Sequence, residues 1–323
     1  MPLERVAVIG AGAWGTALAQ AAAMAGRSVA LVARDRAVIE EVNQRSTNAA
    51  YLGATRLSER ITAVDHLDER EDLVILAVPA QASRVALLAV APKLAGRPVV
   101  LSAKGLETGT LKRQSEILAD VVPSAIPFVL SGPSFAADVA AGRPTAVTLA
   151  GDDADATAEV AAALAGPALR PYASDDRIGV ELAGALKNVY ALACGAVEGA
   201  GLGASARAAL IARGFAELSR LVAAMGGQAS TLTGLAGLGD LTLSCTSVQS
   251  RNYRAGIALG RGEAPPAGVL AEGLSTAPVA RGMAQRAGVD APLIDAVCLL
   301  LGGKASIDDI VSGLMSRPLK RED

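Results

Sequence analysis

A single lysine, Lys187, is the one charged residue between Glu181 and Glu198 in the stretch ELAGALKNVYALACGAVEG (181–199). Large apolar side chains recur through this stretch at helical spacing, and the opposite side carries glycine and alanine, so the sequence predicts a helix that is buried on every side. A buried ammonium group either finds partners of opposite charge or loses its proton. Lys187 is therefore a candidate for proton-transfer chemistry, and the rest of the sequence should supply its partners.

Three further charged residues are isolated in uncharged sequence in the same way. They are Lys104 in LSAKGLE (101–107), Asp138 in SGPSFAADVAAG (131–142) and Asp240 in GLAGLGDLTLSCTS (234–247). Because charged side chains are seldom fully buried without a partner, we expect the two acids to neutralise the two lysines across a crevice between domains. The alternative is that each charged residue lies on a loop in water.

Transfer of a hydride to or from an alcohol requires a group that exchanges the hydroxyl proton. The sole histidine, His66, lies in the charged stretch VDHLDERED (64–72), where we expect it to be solvated rather than catalytic. The sequence shows neither a histidine–cysteine cluster typical of a metal site nor a nucleophile-elbow motif. Lys187 is left as the acid–base candidate, with a pKa tuned by burial and by a carboxylate, for which Asp240 is the natural choice.

A glycine motif of the form GxGxxG, built from Gly10, Gly12 and Gly15, follows the strand-like run RVAVIG (5–10) and opens a predicted helix to Gly26. In this context the first glycine permits a tight turn, the second admits a pyrophosphate close to the backbone, and the third lets the helix approach the strand. The amino terminus of the helix faces the phosphate charge. The motif predicts a bound nicotinamide dinucleotide rather than a purely structural turn.

The residues after the second predicted strand bear on which dinucleotide binds. The run SVALVA (28–33) is followed by Arg34 and then Asp35. An acidic residue here typically holds the ribose hydroxyls of NAD, whereas an arginine accommodates the extra phosphate of NADP. Because Arg34 comes first, the sequence favours NADP with NAD tolerated; a solvated Arg–Asp pair is the alternative.

A second pair of polar residues, Arg251 and Asn252, lies in SVQSRNYRAG (247–256) near glycine-rich turns. A guanidinium group matches the oxygens of a phosphate, so this pair is a candidate clamp for a phosphorylated substrate. The start of a surface helix is the competing interpretation.

These residues need elements that bring them together, and a chain of 323 residues is long enough for two domains. In the first half, alanine-rich helical segments alternate with six short apolar runs, at 5–10, 28–33, 72–78, 98–103, 127–132 and 145–150. Unbroken apolar strands alternating with helices indicate a parallel sheet covered on both faces, the Rossmann-type doubly wound α/β class. We assign residues 1–175 to this domain.

The second half, residues 176–323, carries helical patterns separated by glycine-rich turns. The predicted helices span 177–199, 205–225 and 276–302, and no clear strand run follows residue 172. We therefore expect an all-helical C-terminal domain.

The composition argues against several other classes of function. The formal charge is −2 and aromatic residues make up 2% of the chain, unlike a nucleic-acid-binding protein. Cys194, Cys245 and Cys298 lack metal or redox spacing and are expected to be reduced core residues. The longest uncharged runs are interrupted by Gly, Ser, Thr and Gln, and the strand-like start leaves no room for a signal peptide, so we expect a soluble cytoplasmic protein.

Seven segments, taken in order, resemble the bacterial type of NAD(P)-dependent glycerol-3-phosphate dehydrogenase over almost the whole chain. They are GAGAWGTALA (10–19), LSAKGLE (101–107), LSGPSFAADV (130–139), ALKNVYALACGAVEG (185–199), GLAGLGDLTLSCTS (234–247), SRNYRAG (250–256) and AEGLSTA (271–277). The resemblance implies reversible hydride transfer between NAD(P)H and dihydroxyacetone phosphate, which gives sn-glycerol 3-phosphate for phospholipid synthesis. It also implies that the helical domain binds substrate and forms a homodimer.

The same resemblance implies roles for individual residues. Lys187 would exchange the proton of the 2-hydroxyl, and Asp240 and Lys104 would complete the catalytic cluster. The residues implied to bind substrate are Lys104, Gly132, Ser134, Lys187, Asp240, Ser250, Arg251 and Asn252. Those implied to contact the cofactor are Gly10, Gly12, Ala13, Trp14, Gly15, Arg34, Lys104, Ala136, Arg251, Leu270 and Glu272.

Other classes of protein share part of this pattern. The β-hydroxyacid dehydrogenases also place a lysine and an asparagine on one helix, but they act on carboxylated substrates. A non-catalytic dinucleotide sensor would have no need of Lys187, and a structural dimerisation protein would leave the glycine motif unexplained. One departure from the family pattern is Asp138, which stands where the SGPSFA motif usually continues to glutamate.

Overall fold

The computed structural model describes residues 3–265, 268 and 270–318. Within them, the N-terminal half of the chain folds around a single eight-stranded sheet. The strands are β1 (Arg5–Ile9), β2 (Ser28–Val32), β3 (Ile61–Val64), β4 (Leu73–Leu76), β5 (Pro98–Leu101), β6 (Ile126–Ser131), β7 (Thr145–Gly151) and β8 (Leu169–Ser174). The six predicted strands are all present, and β3 and β8 are additional.

The strand order is β3-β2-β1-β4-β5-β6-β7-β8, which is the doubly wound arrangement that the sequence predicts. The prediction of an all-parallel sheet is wrong at one junction, because β6 and β7 pair antiparallel. The connection from residue 132 to 144 stays at the carboxyl edge of β6, so β7 has to run back from that edge. β8 then pairs parallel with β7.

Helices cover both faces of this sheet. They are α1 (Ala13–Met24), α2 (Arg36–Arg45), α3 (Ala49–Leu52), α4 (Ser83–Val90), α5 (Gln114–Val121), α6 (Ala136–Ala140) and α7 (Ala154–Leu164). The central strands are apolar throughout because both of their faces are covered; every residue of β4, for example, is buried. The carboxyl ends of these strands form the edge at which a doubly wound sheet binds ligands.

The C-terminal half is helical within the described residues. Its helices are α8 (Arg177–Gly199), α9 (Gly203–Ala224), α10 (Ala229–Leu232), α11 (Asp240–Thr246), α12 (Arg251–Gly260), α13 (Glu272–Ala287), α14 (Pro292–Leu301) and α15 (Ile307–Met315), with a π-helical turn at Leu235–Gly239. The predicted single helix 276–302 is wrong. Gly288 adopts the left-handed conformation (φ +64°) and ends α13, and Pro292 occupies the first turn of α14.

Helix α8 is the centre of the C-terminal domain, as the sequence predicts for a helix with no polar face. It is long and apolar enough to cross a membrane, but 94% of its most apolar window is buried inside the protein, as in a core helix. Glycines let α12 lie almost in backbone contact with it. A Cβ at Gly195 would lie 2.1 Å from the Tyr253 carbonyl oxygen, and one at Gly256 would lie 2.1 Å from that of Leu192.

Candidate active site

The glycine turn after β1 has the geometry that the GxGxxG motif requires. Gly10 has φ +108°, and a Cβ there would lie 2.8 Å from the carbonyl oxygen of Ala77. A Cβ at Gly15 would lie 1.8 Å from the carbonyl oxygen of Gly10, so α1 can approach β1 only with glycine at this position. Both positions therefore exclude every side chain, for reasons of backbone strain and close packing.

The space beside Gly12 fits a dinucleotide phosphate. A Cβ at Gly12 would meet nothing within 4 Å, so the backbone is open on this side. Gly12 is the N-cap of α1, no side chain caps the helix, and its first turn, which begins at Ala13, has no acidic residue. The free N–H groups of such a terminus attract an anion. The indole Nε1 of Trp14 is also buried without a partner among the described residues, which leaves a donor available to a ligand.

Arg34 and Asp35, which follow β2 after Ala33, lie in different environments. Asp35 is the N-cap of α2, and its carboxylate accepts a hydrogen bond from the backbone N–H of Ala37 at 2.9 Å. Arg34 is exposed at the strand end, at the same carboxyl edge of the sheet as the glycine turn. The carboxylate is thus committed in part to the helix, whereas the guanidinium is accessible to a cofactor.

Three of the four isolated charges form one buried cluster. The Lys187 ammonium on α8 donates to Asp240 Oδ1, and the Lys104 ammonium, on the loop after β5, donates to Asp240 Oδ2 at 2.7 Å. Asp240 is 1% exposed, so its carboxylate neutralises both lysines away from water. Two ammonium groups share one carboxylate, and the cluster as a whole therefore favours a negatively charged ligand.

The pKa of Lys187 is lowered to about 8, mainly because burial penalises its charged form. The carboxylate of Asp240 opposes this shift, and the ammonium of Lys104 adds to it. A lysine with this pKa exchanges protons readily near neutral pH, which is the property required of a general acid or base.

Ser244 belongs to the same cluster, although it was not among the residues selected from the sequence. Its hydroxyl accepts a hydrogen bond from the Lys187 ammonium at 2.7 Å, and the side chain is buried. Asp240 begins α11 directly after the π-helical turn, and Ser244 lies one turn later on the same helix. The spacing of four residues between the two side chains was the available signal, since it places both on one face of a helix.

The cluster formed by Lys187, Lys104, Asp240 and Ser244 borders the glycine turn. The Lys104 ammonium lies 6.0 Å from the centroid of the Trp14 ring, and it donates to the carbonyl oxygen of Gly132 at 2.8 Å. The hydroxyl of Ser134 also donates to Gly132, at 3.0 Å, and Ala136 begins the short helix α6 that follows. These predicted residues therefore occupy the carboxyl edge of β6, next to Lys104.

The predicted phosphate clamp lies at the start of α12. Ser250 is the N-cap of this helix, and Arg251, its first residue, is exposed, as the interpretation of a helix start also required. Asn252 is buried, and its amide is engaged by protein groups on both sides. Of these three residues, only Arg251 has an exposed side chain, because Ser250 and Asn252 are buried.

Glu272, at the first position of α13, connects the helical domain to the N-terminal domain. Its Oε1 accepts a hydrogen bond from the backbone N–H of Ala80 at 3.0 Å, whereas its Oε2 is buried and unpartnered among the described residues. Burial raises the pKa of this carboxyl, with an opposing effect from Arg251. Leu270, two residues earlier, is 41% exposed.

Two expectations about isolated residues have different outcomes. Asp138 does not join the cluster; its carboxylate pairs with Arg143 at 2.5 Å on the surface, five residues later in the chain. The expectation that all four charges meet is therefore wrong for this residue. His66 is exposed beside Asp65, which confirms the expectation that it is solvated. Cys194, Cys245 and Cys298 are free thiols in buried or half-buried positions.

The fold and the site define a two-domain dinucleotide-dependent dehydrogenase. A glycine turn suited to a pyrophosphate lies in one domain, and a lysine suited to proton exchange lies on the central helix of the other. The narrower class follows from comparison with known proteins.

Two family models match the chain: "NAD-dependent glycerol-3-phosphate dehydrogenase N-terminus" over residues 5–157 and the corresponding "C-terminus" over residues 176–312. The chain is 49% identical to glycerol-3-phosphate dehydrogenase [NAD(P)+] of Caulobacter vibrioides over 100% of both chains. It is 52% identical to the protein of that name from a Bradyrhizobium strain, over 99% of both. The crystal structure of glycerol-3-phosphate dehydrogenase from Coxiella burnetii superposes with a TM-score of 0.90 at 36% identity, over 97% of this chain and 99% of that one. The chain belongs to the NAD-dependent glycerol-3-phosphate dehydrogenase family.

Proposed function

We propose that this chain catalyses reversible hydride transfer between NAD(P)H and dihydroxyacetone phosphate to give sn-glycerol 3-phosphate. The observation that carries the proposal is the position of the acid–base cluster. Lys104 joins the cluster through Asp240 and lies 6.0 Å from the Trp14 ring of the dinucleotide turn. A proton-exchanging lysine and a dinucleotide site are therefore neighbours, as a dehydrogenase of this family requires.

Lys187, Asp240 and Lys104 have separate roles in this reaction. When bound, the reduced nicotinamide supplies the hydride to C2 of the substrate. Lys187 gives a proton to the oxygen on C2 in reduction and takes it back in oxidation, because its lowered pKa makes both forms accessible. Asp240 holds the ammonium in position, and Lys104 adds positive charge near the oxygen on which negative charge develops.

The experiment that tests this proposal compares substrates under one set of conditions. We expect NADPH and NADH to be consumed with dihydroxyacetone phosphate and not with a carboxylated 3-oxo acid. Consumption with the acid alone would instead assign the protein to the β-hydroxyacid dehydrogenases. Tight binding of the coenzyme without turnover of either substrate would favour a dinucleotide sensor.

The pKa of Lys187 predicts opposite pH dependences for the two directions. Reduction needs the ammonium form, so its kcat/KM should be high below pH of about 8 and should fall as the pH rises through about 8. Oxidation needs the neutral amine, so its kcat/KM should rise through the same pH and then level off. Steady-state rates across the pH range in both directions provide the measurement. If kcat/KM changed in the same direction with pH for both reduction and oxidation, the assignment of Lys187 would be contradicted.

We propose that Arg251 binds the substrate phosphate. Replacing Arg251 by alanine should raise the KM for dihydroxyacetone phosphate about tenfold or more with a smaller change in kcat, because the contact is present in the ground state as well as in the transition state. Arg254→Ala is the matched control, since Arg254 is an exposed arginine on the same helix whose guanidinium donates to the carbonyl of Val248. Equal KM values for the two variants would move the phosphate site elsewhere.

We further propose a preference for NADPH, on the basis of the accessible guanidinium of Arg34. Arg34→Ala should raise the KM for NADPH about tenfold, the scale of one charge-assisted hydrogen bond, and should leave the KM for NADH nearly unchanged. The ratio of the two KM values is the quantity to measure. If both cofactors were affected to the same degree, Arg34 would not contact the 2′-phosphate.

The remaining parts of the proposal concern organisation and setting. We propose that residues 1–175 form the cofactor domain and that residues 176–323 form the substrate domain and the homodimer contact. Membership of the family supports a cytoplasmic enzyme that supplies sn-glycerol 3-phosphate to phospholipid synthesis. Size-exclusion chromatography with light scattering tests the homodimer.

A further inference from the structure

We propose that Asn188 is a positioning residue that holds both Lys104 and the start of α12 through one directional chain of hydrogen bonds. We call this chain the amide relay; it consists of the backbone N–H of Gly273, the side chains of Asn252 and Asn188, and the backbone carbonyl of Lys104. The inference rests on the proposed dehydrogenase function, because its consequences are measured on that reaction.

The contacts of the amide relay are short, and they are buried or partly buried. The N–H of Gly273 donates to Asn252 Oδ1 at 2.9 Å, and Asn252 Nδ2 donates to Asn188 Oδ1 at 2.9 Å. Asn188 Nδ2 then donates to the carbonyl oxygen of Lys104 at 2.7 Å. Asn188 is 5% exposed and Asn252 is 9% exposed, so water cannot readily replace a broken link.

The direction of the relay is fixed by its two ends. A backbone N–H can only donate and a backbone carbonyl can only accept. With Gly273 as donor at one end and Lys104 as acceptor at the other, the two amides between them satisfy every link only in the observed orientation. Asn188 must therefore accept from α12 and donate to Lys104, a pair of roles that a carboxylate cannot fill.

The relay also crosses the boundary between the domains. It begins at α13, next to Glu272, which accepts a hydrogen bond from Ala80 in the N-terminal domain. It passes through α12 and α8 and ends at Lys104, which is again in the N-terminal domain. Asn188 is adjacent to Lys187 on α8, so the helix that carries the proposed acid–base group also holds Lys104 and the start of α12.

The first test is Asn188→Ala. We expect kcat/KM for dihydroxyacetone phosphate to fall about 10- to 100-fold, the scale of a displacement of about 1 Å in a catalytic constellation. We also expect the pH at which kcat/KM for reduction falls to move above about 8. The ammonium of Lys104 contributes to the lowered pKa of Lys187, so its retreat should raise that pKa.

The second test, Asn188→Asp, addresses the direction of the relay. A protonated carboxyl group can accept from Asn252 and donate its O–H to the carbonyl of Lys104, whereas the ionised group cannot donate. The rate of this variant relative to wild type should therefore rise as the pH falls, and that of Asn188→Ala should not. The charged groups around this position are Lys104, Lys187 and Arg251, which favour the ionised form, and Asp240 and Glu272, which favour the protonated form.

A matched control separates positioning from loss of stability. Ser115→Ala removes another buried hydrogen bond between α8 and the N-terminal domain, from the Ser115 hydroxyl to Glu181 at 2.6 Å. It should lower Tm and leave unchanged both the KM for dihydroxyacetone phosphate and the pH at which kcat/KM for reduction falls. An Asn188→Ala variant that behaves in the same way overturns the proposal. An Asn188→Asp variant that stays as slow as the alanine variant at every pH at which it is folded overturns the assigned direction. Failure of the wild-type protein to reduce dihydroxyacetone phosphate would instead overturn the proposed function.

Discussion

Replacement of Lys187 by methionine is expected to lower kcat for reduction of dihydroxyacetone phosphate by ~100-fold or more, the usual scale for removal of a positioned acid. Methionine keeps most of the buried volume and cannot donate a proton. Asp240 retains Lys104 as its partner, so no carboxylate is left unpaired. Coenzyme binding should be close to that of wild type, since Lys187 contacts Asp240 and Ser244 rather than the glycine turn.

The measurement combines steady-state kinetics with coenzyme titration monitored by the fluorescence of Trp14, the only tryptophan of the chain. Glu217→Gln is a suitable control for a change in buried charge. Glu217 is buried on α9 and accepts hydrogen bonds from the backbone N–H groups of Leu293 and Ile294 at the start of α14 and from the hydroxyl of Tyr190, and it makes no hydrogen bond to Lys187, Asp240 or Lys104 among the described residues. It should lower Tm with kcat nearly unchanged. Activity of Lys187→Met within a few-fold of wild type would show that another group exchanges the proton.

Replacement of Asp240 by asparagine should have the second large effect, because it leaves the buried ammonium of Lys187 and the partly buried ammonium of Lys104 without their shared carboxylate. Removing one partner from a buried ion pair typically costs about 3–5 kcal/mol of unfolding free energy. Asp240 also raises the pKa of Lys187 against the effect of burial. The pH at which kcat/KM for reduction falls should therefore move below about 8 in the variant. Reduction should then be slow at neutral pH, since less of Lys187 is in its ammonium form.

Chemical denaturation and pH profiles of the variant measure these two effects separately. The double variant that combines Asp240→Asn with Lys104→Met removes one of the two ammonium groups and should recover part of the lost stability. No recovery would mean that the loss in Asp240→Asn comes from packing rather than from charge. If kcat/KM for reduction by Asp240→Asn still fell at a pH of about 8, the electrostatic account of Lys187 would be contradicted.

Much of this site could be predicted from the sequence because its signals are local. The glycine turn has a fixed spacing after a strand, and an isolated lysine in an apolar helix is conspicuous. The doubly wound sheet follows from the alternation of apolar runs with helical segments, and the structure confirms that class. The meeting of Lys187, Lys104 and Asp240 was also expected, since buried charges need partners.

Features that depend on three-dimensional neighbours were not predictable in this way. The direction of β7 is not encoded in its apolar run, which would suit either orientation. Asp138 was isolated in its own segment, but Arg143 follows just beyond that segment and pairs with it. Ser244 and the amide relay of Asn188 involve neutral polar residues, whose role depends on which groups face them after folding.

The most direct test of the central claim is the fate of the hydride. The protein is incubated with dihydroxyacetone phosphate and NADPH that carries deuterium at both C4 positions of the nicotinamide ring, and the product is analysed by mass spectrometry. We predict sn-glycerol 3-phosphate with one deuterium at C2, formed by the wild-type protein and at least ~100-fold more slowly by Lys187→Met. Coenzyme binding without any deuterated glycerol 3-phosphate would contradict the account.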